Sequence, residues 1–379
     1  MTLRNFIDYT QEQLAPLYPP QECKAMAVRM LKELLAGYKG YEHMVEPATE
    51  LDTFQLEEHF RKGECQEGKS TSEEQSSQEE QSAQEGTAGE SQSSCQQPGT
   101  EKYLLSCVGR LATGEPLQYV MGHEWFCGHR FNVAPGVLIP RPETEELVNK
   151  AIGFAESVQK EVQEKSVAVP LNSTDAAQQY PSVNPLRILD ICTGSGCIAW
   201  SMAAAVQKNT DPSEAVPQVY ACDISQQALQ IAGSQQIQCA DGTPAKVKFL
   251  ECDILSEDAQ QKIEQACGEG EFNLIISNPP YVCECEKSQM RENVLAHEPS
   301  IALFVPDNDP LKFYRAIAQL SGRILSPGGA LMFEINERFG AETAQMMQQM
   351  GYTNCQVLQD LFGKDRMVTG YKKDGDSKG

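Results

Sequence analysis

The chain has 379 residues, 40% of them hydrophobic, which is enough to bury a sizeable core and to form two or three domains. Its formal net charge of −22 disfavours a nucleic-acid partner, because an acidic body is repelled by a phosphate backbone. No apolar run approaches the roughly 20 residues that cross a bilayer, and the N-terminus lacks the apolar segment of a signal peptide. We therefore expect a cytoplasmic protein that does not bind membranes and does not bind nucleic acid directly.

The fourteen cysteines do not predict a disulfide scaffold, which is typical of short secreted chains. Several lie inside predicted core elements, where reduced thiols act as small apolar residues. Cys283 and Cys285 lack the spacing and the second pair of a zinc site, so no metal is predicted.

Helical patterns open the chain, with apolar residues three and four positions apart in 3–18 and 23–38. Residues 62–100 are dominated by Ser, Gln, Glu and Gly, and such a segment cannot bury enough surface to offset its ordering entropy. A last helix resumes near Glu101. We predict a helical substrate-recognition domain over 1–112 that contains a disordered insertion at about 62–100.

A hairpin linker is predicted over 113–145, where aromatic and β-branched residues alternate with turn residues. Helical periodicity follows over 143–159. A second polar stretch, at about 161–184, is predicted to be a loop.

Strand and helix patterns alternate after Leu186. The predicted strands are 187–192, 218–224, 247–254, 271–278 and 328–335. This alternation predicts an α/β, doubly wound, Rossmann-like sheet with helices on both faces, in a domain over 146–379.

The segment from Ile188 to Ala199 has the order strand, glycine turn, helix. Gly194 and Gly196 allow close approach of the backbone to a ligand, and the helix N-terminus offers free N–H groups. Dinucleotide and S-adenosylmethionine sites both use such a turn, and it also occurs without a ligand.

Acidic residues at the next two strand ends bear on the choice of cofactor. Asp223 ends the second strand, where a carboxylate can accept from both ribose hydroxyls of a nucleoside. Asp253 ends the third strand beside Ile254, a pair that suits an adenine amine and ring face. Together they favour a nucleoside without pyrophosphate. Asp190 precedes the glycine turn and is placed either to orient it or to approach the amino-acid tail of the cofactor.

Asn278, Pro279, Pro280 and Tyr281 end the fourth strand and predict a clamp for a planar –NH₂ group. The Asn278 side-chain oxygen and the Pro279 carbonyl can accept its two N–H bonds, which leaves the nitrogen lone pair to face a methyl donor. The prolines fix the direction of these acceptors, and Tyr281 offers a flat face. The same four residues could also form a purely structural turn.

Eight segments together resemble the HemK/PrmC-type N5-glutamine methyltransferases that modify peptide chain release factors. They are GEPLQYVMGHEWF, VLIPRPETEELV, ILDICTGSGCIA, ACDIS, SNPPYV, HEPSIALF, SPGGALMFEI and LQDLFGKDRMVTG. The resemblance implies a class I S-adenosylmethionine-dependent methyltransferase with a helical N-terminal domain. It implies as substrate the Gly-Gly-Gln glutamine of a class 1 release factor, and we expect the enzyme to be a monomer.

The resemblance also implies site residues. The expected cofactor contacts are Cys192, Thr193, Gly194, Ser195, Gly196, Asp223, Ile254 and Asn278, and the expected glutamine contacts are Asn278, Pro279, Pro280 and Tyr281. The chain departs from the family in having Cys192 where glycine is usual and Ile254 where an aromatic residue is frequent. The polar insertion also has no counterpart in the family.

Two further motifs surround this predicted site. Arg141 lies between prolines, where it could contact the substrate loop, while Glu143 and Glu145 begin a helix whose dipole favours acids. For the segment 297–299, His-Glu-Pro, we favour a structural, lid-forming role over acid–base chemistry.

Three alternatives stay open at this point. A similar enzyme could methylate glutamine in a ribosomal protein, and the Asn-Pro-Pro-Tyr turn also suits adenine-N6 or guanine-N2 methylation of nucleic acid. A nonenzymatic adaptor could retain the nucleoside site, although it would have no use for an amide clamp.

Overall fold

The computed structural model describes residues 3–36, 100–167, 185–207, 216–268 and 271–373. The predicted disordered insertion therefore lies outside the described residues except at Thr100, which begins a helix. The chain divides into two compact units, Met1–Met121 and Gly122–Gly379. No helix in the described ranges has the length and apolar content required to cross a bilayer.

The first unit is helical where it is described. Its helices are α1 (Leu3–Leu14), α2 (Pro20–Ala36), α3 (Thr100–Leu111) and α4 (Leu117–Met121). Their apolar faces share one buried core that includes Phe6, Leu31 and Val108. Arg110 of α3 donates to the main-chain oxygens of Tyr119 and Val120, both at 3.1 Å, and so satisfies carbonyls at the end of α4.

The second unit begins with the hairpin of β1 (His123–Phe126) and β2 (His129–Asn132). Cys127 and Gly128 form its two-residue turn with φ of 48° and 74°, the backbone of a type I′ turn. The rings of Phe126 and Phe131 meet edge to face at 6.0 Å within the core of this unit. The predicted linker over 113–145 is therefore divided, because α4 packs in the first unit and the hairpin in the second.

A seven-stranded sheet forms the centre of the second unit. The remaining strands are β3 (Arg187–Ile191), β4 (Gln218–Asp223), β5 (Val247–Glu251), β6 (Phe272–Ser277), β7 (Val282–Cys283), β8 (Phe304–Val305), β9 (Leu325–Glu334), β10 (Tyr352–Gln359) and β11 (Asp365–Lys372). The order in the sheet is β10-β11-β9-β6-β3-β4-β5, while β7 and β8 form a separate pair. Of the seven strands only β11 runs in the opposite direction to the other six. The five predicted strands are present, whereas β10 and β11 were not predicted.

Helices cover both faces of this sheet. The α-helices of this unit are α5 (Pro142–Val167), α6 (Cys197–Val206), α7 (Gln226–Gly233), α8 (Ala259–Cys267), α9 (Glu292–His297), α10 (Ser300–Leu303), α11 (Lys312–Ile324) and α12 (Gly340–Gln349). Alternate residues of β3 enter opposite cores: Ile188 packs with α5 and α6, and Leu189 packs with α8 and α11. The α/β, doubly wound prediction is confirmed.

The polar loop predicted at about 161–184 begins later than expected, because α5 continues to Val167. The segment from Glu161 to Val167 contains no glycine or proline to stop the helix, and most of its residues are good helix formers. Residues 168–184 lie outside the described part of the chain.

The chain order of the strands determines where a ligand can bind. From β3 the chain adds β4 and then β5 on one side, and it then crosses to place β6 on the other side of β3. Open α/β sheets bind ligands outside the carboxyl ends of the strands at such a reversal. The glycine turn after β3 and Asn278 after β6 both lie at this position.

Candidate active site

A cavity of about 310 Å³ lies at the carboxyl ends of β3, β4, β5 and β6. Of the residues predicted from the sequence, it is lined by Arg141, Cys192, Thr193, Gly194, Ser195, Asp223, Asp253, Ile254, Asn278 and Pro280. Asp190, Gly196, Pro279 and Tyr281 do not line it. Residues more than 130 positions apart in the sequence thus meet at one edge of the sheet.

The glycine turn opens the backbone toward the cavity. Gly194 has φ of 55°, and a Cβ built on it would meet no atom within 4 Å, so the backbone at this point borders open space. Gly196 has a different reason to be glycine: a Cβ there would lie 3.0 Å from Trp200 and 3.1 Å from Ala232. Gly194 therefore leaves room for a ligand, whereas Gly196 allows the turn to pack against α6 and α7.

Cys192 occupies a backbone conformation that favours glycine. Its φ is 62°, in the left-handed region that costs a residue with a Cβ about 1 kcal/mol. Burial raises the pKa of its thiol far above the ordinary value, so this cysteine is a neutral, packed side chain. The departure from the family glycine thus adds local strain and a thiol to the cavity wall.

Asp190 stabilises the glycine turn through hydrogen bonds on its buried side. It is fully buried, and its Oδ2 accepts from the Thr193 hydroxyl at 2.5 Å and from the Ala199 amide at 3.2 Å. Burial raises its pKa to about 7, although these hydrogen bonds oppose the rise. Of the two roles considered for Asp190, these contacts support orientation of the loop.

Asp190→Asn is expected to change how stability depends on pH. Because the folded protein retains the Asp190 proton up to about pH 7 and the unfolded chain releases it near about pH 4, wild-type stability falls by about 1.4 kcal/mol per pH unit in that window from this group. The variant has no carboxyl at this position and lacks this pH-dependent loss. Its free energy of unfolding should therefore rise relative to that of wild type as the pH rises. Urea unfolding of both proteins between pH 5.5 and 7.5 measures the difference, and parallel pH profiles would contradict a raised pKa at Asp190.

Asp223 presents a carboxylate whose orientation is already set. Its Oδ1 accepts from the Ser225 amide and its Oδ2 from the Gly194 amide, both at 2.9 Å. Each oxygen keeps a second lone pair, which is what a pair of ribose hydroxyls requires. Burial raises the pKa of Asp223, and the two amide donors partly offset this by favouring the charged form.

The opposite end of the cavity combines one carboxylate with apolar side chains. Asp253 accepts from the Leu255 amide at 2.9 Å, and Ile254 is buried beside it. Phe313 of α11 and Ile301 of α10 also line the cavity, although the sequence patterns did not indicate them. A flat apolar group with an exocyclic amine fits this lining, so the cavity as a whole suits an adenine nucleoside.

Asn278 and Tyr281 make different contacts at the end of β6. The Asn278 Nδ2 donates to the Thr144 hydroxyl at 3.2 Å, while the Tyr281 hydroxyl donates to Glu334 Oε1 at 3.0 Å. Pro280 lines the cavity, whereas Pro279 is buried and does not line it. Asn278 is therefore the polar side chain of this turn at the cavity, and Tyr281 is anchored to the end of β9.

Glu298 holds the segment that carries Arg141. Its Oε1 accepts from Arg141 Nη2 at 2.6 Å and its Oε2 from the Ile139 amide at 3.1 Å, with the carboxylate almost fully buried. These contacts give Glu298 a structural role at the cavity rim, where Ile301 also lies.

Within the described ranges, no group of three or more His, Cys, Asp or Glu could hold a metal ion.

Thr144 and Glu334 are site residues that the sequence analysis missed as functional positions, whereas Glu298 lies in the segment 297–299, for which a structural role was expected. Glu334 contacts Thr144 across 190 positions of the chain, and Glu298 contacts Arg141 across 157. Short motifs and periodicity carry no information about such pairs.

Comparison with known proteins gives the family. The release factor glutamine methyltransferase of Bacteroides thetaiotaomicron is 40% identical over 277 residues, which cover 73% of this chain and 82% of that protein. The release factor glutamine methyltransferase of Flavobacterium psychrophilum is 39% identical over 260 residues, or 68% of this chain and 76% of that protein. No protein-family model matches the chain.

A crystal structure of the release factor-specific protein-(glutamine-N5) methyltransferase from Alicyclobacillus acidocaldarius aligns with 64% of this chain and 99% of its own, at 24% identity and a TM-score of 0.31. The assignment rests on the two more similar relatives. By its similarity to them the chain belongs to the release factor glutamine methyltransferase family, a family of S-adenosylmethionine-dependent enzymes, as its sequence motifs predicted.

Proposed function

We propose that this chain transfers a methyl group from S-adenosylmethionine to the side-chain amide nitrogen (N5) of the glutamine in the Gly-Gly-Gln motif of a class 1 release factor. The observation that carries the proposal is the position of Asn278, which borders the same cavity as Asp223 and has its amide nitrogen turned to Thr144. Asn278 thus combines an available acceptor oxygen with proximity to a nucleoside-sized pocket.

The residues of the cavity divide into two groups by the ligand that they suit. Asp223, the glycine turn and the lining around Ile254 fit the nucleoside of the cofactor, which supplies a methyl group on a positively charged sulfur when bound. Asn278 Oδ1 and the Pro279 carbonyl are the acceptors proposed for the two N–H bonds of the glutamine amide.

The proposed chemistry needs orientation more than acid–base assistance. With both N–H bonds held, the nitrogen lone pair points at the methyl carbon, and proximity supplies much of the rate. Transfer forms one N–C bond as the S–C bond breaks, and the nitrogen then releases one proton to water. This agrees with the structural role of Glu298, which is already occupied by Arg141 and Ile139.

An exposed apolar turn close to the start of α5 suits a protein substrate. Leu361 and Phe362 are 88% and 83% exposed, and Asp360 holds their turn by accepting from the Phe362 and Lys364 amides. The Leu361 amide donates to Glu146, two residues after Thr144. We propose that the enzyme meets its folded partner on this side and acts in the cytoplasm as a monomer.

The proposal is tested by incubating the protein and labelled S-adenosylmethionine with a class 1 release factor from the same cell. A copy of the factor with its Gly-Gly-Gln glutamine changed to alanine serves as the control. We expect label on the first protein and none on the second. If neither is labelled while the cofactor binds, the release-factor assignment is wrong, and glutamine-bearing ribosomal proteins and then nucleic acid become the substrates to test.

A further inference from the structure

A buried carboxylate lies behind the proposed amide clamp and does not reach the cavity itself. We infer that Glu334 is a positioning residue that acts through Thr144 to set which way the Asn278 amide points. This role rests on the proposed function, because it matters only if Asn278 must present its oxygen to a substrate amide.

The sheet register brings Glu334 to this place. Ser277 of β6 pairs with Phe333 of β9, so the residues that follow them, Asn278 and Glu334, end neighbouring parallel strands side by side. Thr144, in the first turn of α5, lies against both of them. Glu334 is 1% exposed and is the last residue of β9.

Both oxygens of Glu334 are used by hydroxyl groups. Oε2 accepts from the Thr144 hydroxyl at 2.5 Å, and Oε1 accepts from the Tyr281 hydroxyl at 3.0 Å. Burial raises the pKa of Glu334, but the two hydroxyl donors and the nearby charge of Arg366 oppose the rise. With a hydroxyl donor on each oxygen, the Glu334 carboxyl accepts at both positions.

The hydrogen bond from Thr144 to Glu334 determines the direction of the hydrogen bond between Asn278 and Thr144. The Thr144 hydroxyl has one proton, and it is donated to Glu334, so the same oxygen can only accept from its other neighbour. That neighbour is Asn278, whose Nδ2 donates to Thr144 at 3.2 Å. The amide of Asn278 is therefore held with its nitrogen toward Thr144.

The consequence concerns the oxygen of the same amide. Within the part of the chain that the structure describes, Asn278 Oδ1 accepts no hydrogen bond, and Asn278 borders the cavity. An inverted amide would present two N–H donors to a substrate –NH₂ group, which is also a donor. Glu334 thus favours the one orientation of Asn278 that can accept from the substrate.

The test compares four variants with wild type by steady-state methylation of the release factor, with cofactor affinity measured by calorimetry. Glu334→Gln keeps the shape but adds an N–H donor, which frees the Thr144 proton to point at Asn278. Thr144→Val removes the relay oxygen, whereas Thr144→Ser restores it. Glu342→Gln is the matched control, because Glu342 is exposed on α12 and does not line the cavity.

We expect E334Q and T144V to lower kcat by about 10- to 100-fold with the dissociation constant of the cofactor unchanged. T144S should recover most of what T144V loses, and E342Q should match wild type. A merely structural role for Glu334 would instead lower thermal stability or cofactor affinity and would not distinguish serine from valine at position 144.

Wild-type turnover reports on the proposed function separately. An inactive wild type on the release factor overturns both proposals. An active wild type together with an active T144V variant overturns the positioning role alone. If E334Q does not fold, the comparison of T144V with T144S still decides the question, because both keep the buried carboxylate.

Discussion

Asn278→Ala is expected to lower kcat for release-factor methylation by about 10²- to 10³-fold while the cofactor still binds. The substitution removes an acceptor aimed at the reacting nitrogen, and the loss of one preorganised hydrogen-bonding group at a reacting centre typically costs this much. Binding should largely persist because the variant keeps Asp223 and Ile254 in the cavity lining and loses only one of the eight expected cofactor contacts. Single-turnover methyl transfer and calorimetric titration with S-adenosylmethionine give the two quantities.

A matched control for this variant is available on α5. Asn149→Ala removes the same side chain from an exposed position outside the cavity, and it should leave kcat unchanged. Equal, measurable kcat in N278A and wild type would rule out an amide clamp. A wild type without turnover, whose partner affinity survives the substitution, would favour the adaptor hypothesis.

Asp223→Ala is expected to weaken cofactor binding by at least about 100-fold. Two hydrogen bonds to a charged group contribute about 1.5–3 kcal/mol each, and the variant loses both ribose contacts that we propose for this carboxylate. It also frees the Gly194 and Ser225 amides, which the carboxylate now holds at 2.9 Å. Calorimetric titration with S-adenosylmethionine and with S-adenosylhomocysteine measures the loss.

Asp223→Asn separates the two effects of this substitution. The amide keeps one acceptor oxygen for a backbone N–H, so the turn should stay folded while one ribose hydroxyl loses its partner. Asp309→Asn is the charge-matched control, because the Asp309 side chain is partly exposed and pairs with Arg315 outside the cavity lining. Wild-type affinity in D223N would mean that the nucleoside does not use this carboxylate.

The sequence patterns did not predict β10 and β11, the two strands at the antiparallel end of the sheet. β10 alternates poorly between buried and exposed residues, since Cys355, Val357 and Leu358 are each only partly buried. Its pairing with β11 also contains register shifts. A strand at the sheet edge that packs weakly carries little periodic signal, so β10 was not predicted even though the parallel strands were. β11 lies inside the sheet with residues 367–370 buried, but only Met367 and Val368 of these four are large and apolar, so its sequence shows no clear strand pattern.

The role of Asp190 is a second feature that the sequence patterns did not decide. From the sequence, a carboxylate just before a glycine turn could either orient the turn or contact the cofactor. Full burial and the bonds to Thr193 and Ala199 distinguish the two roles, and neither burial nor hydrogen-bond direction can be determined from spacing.

The sequence by itself determined the α/β class, the family and the order of the groups at the strand ends. These are local properties, because each strand and its following turn are encoded by adjacent residues, and parallel strands place their carboxyl ends at one edge. Only the tertiary structure decided that Glu334 meets Thr144 across 190 positions and that Glu298 holds Arg141. Such contacts arise from packing of distant elements, and the direction of each hydrogen bond depends on where the folded chain places its atoms.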